Sequence, residues 1–265
     1  MKGDPMNAIH HAAAEGYTAR ADTYAKGRPE YPSELESWLH EELRLCPGRH
    51  VLDLGAGTGK FSSRLLATGA EVLALEPVAA MRDQLRERCP QVEIYDGSAE
   101  AIPLPDGSVD AVVCAQSFHW FATPAALREI HRVLKPAGLL GLIWNVRDET
   151  IPWVAALSQI IEPFAGDAPR YWKQTWRTLF PFPGFADLRE HHLPNAHQGS
   201  PEEVIVARTL SVSFIAALSV TEQEKIATQV RALIAATPEL AGQETVTFPY
   251  ETVAFSCAKL DEPTA

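Results

Sequence analysis

The chain has 265 residues and carries 23 Lys and Arg against 34 Asp and Glu, a formal charge of −11, a balance that counts against nucleic acid as a partner. Hydrophobic residues are 46% and charged residues 22%, which is globular usage and excludes a disordered or fibrous chain. A fold of this length buries roughly 70–75% of its unfolded surface and needs no disulfide or metal staple, and its longest apolar run, AGLLGLIW (137–144), falls short of the ~20 residues of a membrane span.

In chain order, the first predicted element is a helix over 34–45, with Leu35, Trp38, Leu39 and Leu43 at helical spacing. PGRH (47–50) ends it. VLDL (51–54) is a short strand, followed by a loop with Gly55, Gly57 and Gly59 and by a helix over 60–69. A second strand (71–77), a helix (79–89), a third strand (92–97) and a fourth (108–116) come next. A helix over 125–136, stopped by Pro136, leads to a fifth strand at 138–145. This alternation with short loops predicts a parallel sheet with helices on both faces. Beyond 146 the chain becomes aromatic and Pro-rich with helical character, then offers a strand at 186–193, helical material over 201–236 and a last β segment at 251–260 that completes the sheet as an edge or inserted strand. No linker divides the halves, so one domain is expected, with a helical cover over 146–250.

Cys46, Cys89, Cys114 and Cys257 are widely spaced and form no C-x-x-C pair, giving neither a zinc pattern nor a disulfide framework. Reduced thiols and an N-terminal stretch without a continuous apolar segment are the expectation for a cytoplasmic chain. No metal site is expected, and the sequence carries no signal of oligomeric state.

The glycine loop VLDLGAGTGKF (51–61) carries the functional argument. A dinucleotide fingerprint is G-x-G-x-x-G, and Lys60 stands where its third glycine belongs. A P-loop is G-x-x-x-x-G-K-[ST], and Leu54 and Phe61 stand at its first and last positions. What remains is a strand, a tight glycine turn and a helix, with the carboxylate of Asp53 just before the turn. An anion would be repelled there, and a ligand carrying an ammonium and a sulfonium would be favoured. Glu76 ends the second strand, where an open α/β sheet binds its ligands, and a carboxylate at that place accepts both hydroxyls of a ribose. S-adenosylmethionine fits this description.

With these residues in view, the chain resembles the class I S-adenosylmethionine-dependent methyltransferases. VLDLGAGTGKF resembles the first family motif and LALEP (73–77) the acidic second-strand end. GSAEAIPLPDGSVDAVVCAQSFHWF (97–121) resembles the adenine-side and fourth-strand motifs, and ALREIHRVLKPAGLLGLIW (126–144) the segment ending in the fifth strand. More narrowly, YTARADTYAKGRPEYP (17–32), HWF (119–121) and FPYET (248–252) resemble the small-molecule group that includes trans-aconitate methyltransferase-like enzymes. The resemblance implies a Rossmann-like, doubly wound, mainly parallel seven-stranded sheet, with residues 1–33 as a lid and 34–145 as the cofactor-binding core.

It also implies roles. The backbone at Gly55, Gly57 and Gly59 would meet the methionine portion, with Asp53 near its ammonium. Glu76 would hold the ribose, with Pro77 and Met81 beside the nucleoside. Ser98 and the Ala99 amide would meet the adenine edge; many relatives carry Asp where Ser98 stands. Gln116 would lie under the methionine tail, and Tyr24 and Arg28 would close over the cofactor.

Methyl transfer needs a base only when the nucleophile must lose a proton. His119, just past the fourth strand, is the candidate, and an alternative is that it hydrogen-bonds without moving a proton. Trp120, Asn145 and Arg147 are the candidate acceptor contacts, Arg147 or Arg208 suiting an anion and Trp153, Tyr171, Trp172 and Trp176 a planar or apolar molecule. A small-molecule methyltransferase is the reading, with a tRNA or protein methyltransferase and a non-catalytic nucleoside-binding module as its rivals.

Overall fold

The computed structural model describes residues 28–166 and 171–260; Tyr24 lies outside them. Seven strands form one sheet in the order β3-β2-β1-β4-β5-β7-β6. They are β1 (His50–Leu54), β2 (Glu71–Leu75), β3 (Glu93–Tyr95), β4 (Val109–Ala115), β5 (Leu134–Arg147), β6 (Arg189–Gly199) and β7 (Val246–Ala258). The pairs joining β3, β2, β1, β4 and β5 are parallel. β7 runs antiparallel to both β5 and β6, so it is inserted between them and the edge belongs to β6. The expected doubly wound, mainly parallel sheet is what the chain forms.

Side-chain parity decides each face. Leu52 and Leu54 face one side with Val112, Cys114, Leu140, Leu142 and Trp144, under α4 (Pro124–Val133). Val51 faces the other with Val72, Ala74, Ala111, Val113 and Ile143, under α1 (Glu34–Glu41), α2 (Ser62–Ala67) and α3 (Ala79–Arg88). Strands buried on both faces read as continuous apolar runs, as VDAVVCA of β4 does. α4 starts as its sequence dictates: Thr123 Oγ1 accepts the Ala126 N–H and Pro124 occupies the first turn.

Several boundaries shift. The helix expected over 34–45 stops at Glu41, because Arg44 takes a left-handed φ of 54° on the way into β1. The helix expected over 60–69 contracts to Ser62–Ala67, the first residues being spent in the glycine turn. Pro136 does not end α4: the helix closes at Val133, and β5 already pairs with β4 at Leu134. The last strand starts at Val246 rather than 251, and β6 runs over Arg189–Gly199 rather than 186–193.

The segment 201–236 is not one helix. It holds a π-helical turn (Glu202–Ala207), two short helices (Arg208–Leu210, Ser213–Ala216) and one long helix, Val220–Ala236, started by a Ser219–Glu222 capping box. Together with α5 (Pro152–Ile161) these pieces enclose a third apolar cluster over the start of β7, around Val246, Phe248 and Tyr250, where Trp153 meets Phe248 edge-on at 4.9 Å. No helix among the described residues is long and apolar enough to cross a membrane.

Candidate active site

Parallel pairing aligns the C-terminal ends of β1, β2, β3 and β4 on one rim, and nearly every candidate residue lies there. The glycine loop leaves β1 by hanging on β2: the Gly55 and Ala56 amides both donate to the Leu75 carbonyl, at 2.8 and 3.2 Å. All three glycines have positive φ, 73°, 57° and 77° for Gly55, Gly57 and Gly59, a conformation that costs other residues about 1–2 kcal/mol. Their surroundings separate them. A Cβ on Gly55 would stand 2.8 Å from Ser117 Cβ, and one on Gly59 would stand 3.0 Å from Leu85 Cγ. Those two glycines serve close packing. A Cβ on Gly57 would meet only Met81 Sδ, at 3.8 Å, so it is at Gly57 that the missing side chain leaves room over the rim.

Asp53 points, by strand parity, toward α2. It is 1% exposed, and its Oδ2 accepts the Ser62 hydroxyl at 2.7 Å. Its Oδ1 is buried and has no hydrogen-bond partner among the described residues. Burial pushes its carboxyl up to about 7, opposed by the Ser62 bond and helped by the neighbouring charge of Glu76. Glu76 follows β2 and is 5% exposed. Its Oε2 accepts the Gly57 amide and its Oε1 the Val78 amide, each at 2.9 Å. Burial raises its carboxyl above the ordinary range, against these two bonds and the nearby Arg82. Two backbone donors occupy half of the roughly four acceptor positions of a carboxylate, and the others remain for a diol. Arg82 binds the Glu76 carbonyl at 2.7 Å and forks onto Asp96 at 2.9 and 2.8 Å, fixing this turn from below.

Pro77 is half-buried beside Glu76, and Met81 is buried at the start of α3. Ser98 and Ala99 lie in the loop after β3, Ser98 half-buried and Ala99 4% exposed. Arg132, at the end of α4, holds that loop: it donates to the carbonyls of Ile102 and Leu104 and to Asp106 and Glu129, while Glu129 accepts the Ile102 amide.

After β4, Gln116 takes a left-handed φ of 58° and its amide binds the Ile143 carbonyl at 2.8 Å. Ser117 caps the Leu54 carbonyl at 2.7 Å. A single 3-10 turn, Phe118–Trp120, then presents His119 and Trp120, whose rings lie 5.1 Å apart. Trp144 Nε1 donates to His119 Nδ1 at 3.1 Å. Of the proposed aromatic lining, Trp153 and Trp176 are core, Tyr171 is half-buried against Trp144, and Trp172 is exposed.

The acceptor side holds a polar cluster that sequence reasoning missed. Asn145 Oδ1 accepts from Thr252 Oγ1 at 2.6 Å and from Asn195 Nδ2 at 3.1 Å, and both asparagines donate to the Glu30 carbonyl. Lys60 completes the strap on the loop side, donating to the Arg28 carbonyl at 2.7 Å and pairing with Glu30 at 2.9 Å. Asn145 is thereby engaged in joining β5, β6, β7 and the 28–31 segment. The β5–β7 register pairs Arg147 with Tyr250, and its guanidinium lies 5.9 Å from the Phe248 ring centre.

The family described as a methyltransferase domain matches residues 52–142, the stretch that builds the rim. An uncharacterized methyltransferase-like protein of Schizosaccharomyces pombe is 41% identical over 237 residues, covering 89% of this chain and 92% of its own. The chain belongs to the methyltransferase family. An uncharacterized methyltransferase of Mycobacterium tuberculosis is 40% identical over 230 residues of this methyltransferase, covering 87% and 90% of the two chains. In fold, the methyltransferase is similar to phosphoethanolamine N-methyltransferase 2 of Haemonchus contortus, solved with phosphomonomethylethanolamine and S-adenosylhomocysteine. The TM-score is 0.60 at 14% identity, over 96% of this chain and 61% of that one.

Proposed function

We propose that this methyltransferase uses S-adenosylmethionine and transfers its methyl group to a small-molecule acceptor. The observation that carries the reading is the pair of buried carboxylates on the rim: Glu76, with acceptor capacity beyond its two backbone bonds, and Asp53, with one buried oxygen lacking a partner. The residues fit the cofactor on this chain's own geometry. Gly57 leaves a cradle a Cβ would fill, Asp53 Oδ1 lacks a donor that an ammonium supplies, and neither group welcomes a pyrophosphate. When bound, the cofactor supplies a methyl group activated by its sulfonium.

In this reading Gly55, Gly57 and Gly59 shape the loop against the methionine portion, Asp53 balances its positive charge, and Glu76 accepts from the ribose. Pro77 and Met81 flank the nucleoside, Ser98 and the Ala99 amide meet the adenine, and Gln116 underlies the tail. Arg28 would close over the cofactor from the 28–31 strap; Tyr24 and the rest of the expected 1–33 lid up to residue 27 lie outside the described residues. The chain then forms one domain, 34–145 holding the cofactor and 146–250 covering the acceptor. His119 and Trp120 flank the transferred group. Arg147 faces the acceptor, and Asn145 acts on the same side through the strap. Holding nucleophile and methyl carbon in line contributes about 7–11 kcal/mol in well-oriented systems. The acidic balance of the chain supports a small molecule over RNA.

Calorimetric titration with S-adenosylhomocysteine and, separately, with NADH tests the reading. Binding of the first and none of the second is expected; the reverse would replace the methyl-transfer reading with a hydride-transfer one.

A further inference from the structure

Arg147 ends β5 two residues past Asn145, on the sheet face that the 28–31 strap crosses. It is half-buried. Among the described residues its guanidinium has no ion pair and no hydrogen bond, and it lies 5.9 Å from the Phe248 ring centre. The acids beside it in the chain and on β7 are turned elsewhere. Asp148 accepts from Thr150, Glu149 accepts from Ser158, and Glu251 pairs with His192. A partly buried cation is seldom left without a counter-charge.

Directly across the β5–β7 ladder stands Tyr250, whose side chain shares that face. It is 4% exposed, and its ring stacks on Phe248 at 4.7 Å and 29°. Its hydroxyl is buried and has no hydrogen-bond partner among the described residues. Asn195, opposite Tyr250 on β6, is already bonded to Glu30, Asn145 and Thr252. Residues facing each other in an antiparallel pair have Cβ atoms about 4.5–5.5 Å apart. The unpaired guanidinium and the unpaired hydroxyl therefore belong to one spot, gathered on the Phe248–Tyr250 ring pair.

Their chemistry selects the occupant. A guanidinium only donates, and a phenol has one proton to give. A neutral carbonyl would satisfy the hydroxyl and leave the charge bare, and a cation would be repelled. An oxyanion answers both, and the planar fork of arginine suits carboxylate and phosphate alike. The spot is also close to the rim. It begins about 7 Å along β5 from Asn145, whose carbonyl lies 3.5 Å from Gln116 Nε2.

We propose that Arg147 and Tyr250 form an oxyanion site, with guanidinium and hydroxyl donating to one carboxylate or phosphate group. Resting on the methyl-transfer reading of the rim, that group belongs to the acceptor, which is then a small molecule bearing a carboxylate or a phosphate.

The test is nitrogen–proton correlation NMR of the arginine Nε–H groups in the full chain, with the Arg147 signal assigned by its loss in Arg147→Met. The sample is titrated with sodium acetate, with inorganic phosphate and, at matched ionic strength, with sodium chloride. A saturable shift of the Arg147 signal by acetate or by phosphate, and none by chloride, is expected, and the anion that binds more tightly tells which group the site takes. No saturable shift by either oxyanion would overturn the proposal. Tyr250→Phe keeps the ring and removes the donor, and the preferred anion is expected to bind it at least about threefold more weakly; unchanged affinity would overturn the two-residue site. Should Tyr250→Phe not fold, the wild-type titration decides alone. S-adenosylhomocysteine added to the same sample separates the two claims. Anion binding without nucleoside binding would defeat the methyl-transfer reading and keep the site, whereas nucleoside binding without anion binding would defeat only the inference drawn here.

Discussion

Replacing Glu76 with alanine perturbs the rim in two separable ways. In the free protein the carboxylate satisfies the Gly57 and Val78 amides, each at 2.9 Å. Those bonds exist with or without ligand, so their loss enters stability, at about 1–3 kcal/mol for each donor left buried and unsatisfied. The ligand term is additional. One charge-assisted hydrogen bond to a ribose hydroxyl is worth roughly 1.5–3 kcal/mol, and 1.4 kcal/mol is about tenfold in affinity. Glu76→Ala is therefore expected to weaken S-adenosylhomocysteine binding at least about tenfold. Glu76→Gln keeps the shape but turns an amide N–H toward one of the two backbone donors, so it should fail nearly as badly. Calorimetry measures the affinity, and thermal unfolding confirms that each variant is folded at the assay temperature. A folded Glu76→Ala protein that binds within about twofold of wild type would remove Glu76 from the ligand site and refute the reasoning.

Asp53, pushed up to about 7 by burial, binds a proton in the folded chain that an unfolded chain has already released above the ordinary aspartate value of 3.8. Its folded-state pKa is raised, so its contribution lowers stability as pH climbs between those values and costs most above about 7. Asp53→Asn should raise the melting temperature at pH 8 and leave it little changed at pH 4; no gain at pH 8 would contradict the burial argument. A cationic ligand should also expel that proton near pH 6.5, visible as a buffer-dependent binding enthalpy that Asp53→Asn abolishes. Gly55→Ala forces a 2.8 Å clash with Ser117 and should be mainly a folding defect. Gly57→Ala has room and should cost only the left-handed strain of about 1–2 kcal/mol while impairing S-adenosylhomocysteine binding; equal effects of the two on calorimetry and unfolding would refute the assignment of roles. Arg132→Met frees the loop that carries Ser98 and Ala99 and should weaken binding by about threefold or more, under 1 kcal/mol at the lower bound. Hydrogen exchange should show faster amides over 98–106, and unchanged exchange would mean that Arg132 does not hold the loop.

Much of the rim was legible because its rules are local. Alternation along VLDL puts Asp53 off the face of Leu52 and Leu54, and Glu76, the acid of LALEP, reads in the sequence as the end of the second strand, where it stands. The failed third glycine at Lys60 has a physical counterpart, since Lys60 reaches the Arg28 carbonyl and Glu30 instead of yielding space to a pyrophosphate. What stayed hidden depends on long-range pairing. The sequence leaves open whether the last strand is an edge or an inserted one; its place between β5 and β6 is set by pairing with β5 residues more than a hundred positions away, which no local periodicity encodes. The Asn145–Asn195–Thr252 cluster appears only once that pairing exists. Trp144 reads as one more apolar residue of a core strand, and nothing nearby in the chain announces that its N–H is directed at His119.

The most direct measurement is a crystal structure of the chain with S-adenosylhomocysteine. The account predicts the ribose hydroxyls within hydrogen-bonding distance of the Glu76 carboxylate and the methionine portion against Gly57. A ribose bound elsewhere, with Glu76 still satisfied only by Gly57 and Val78, would contradict it.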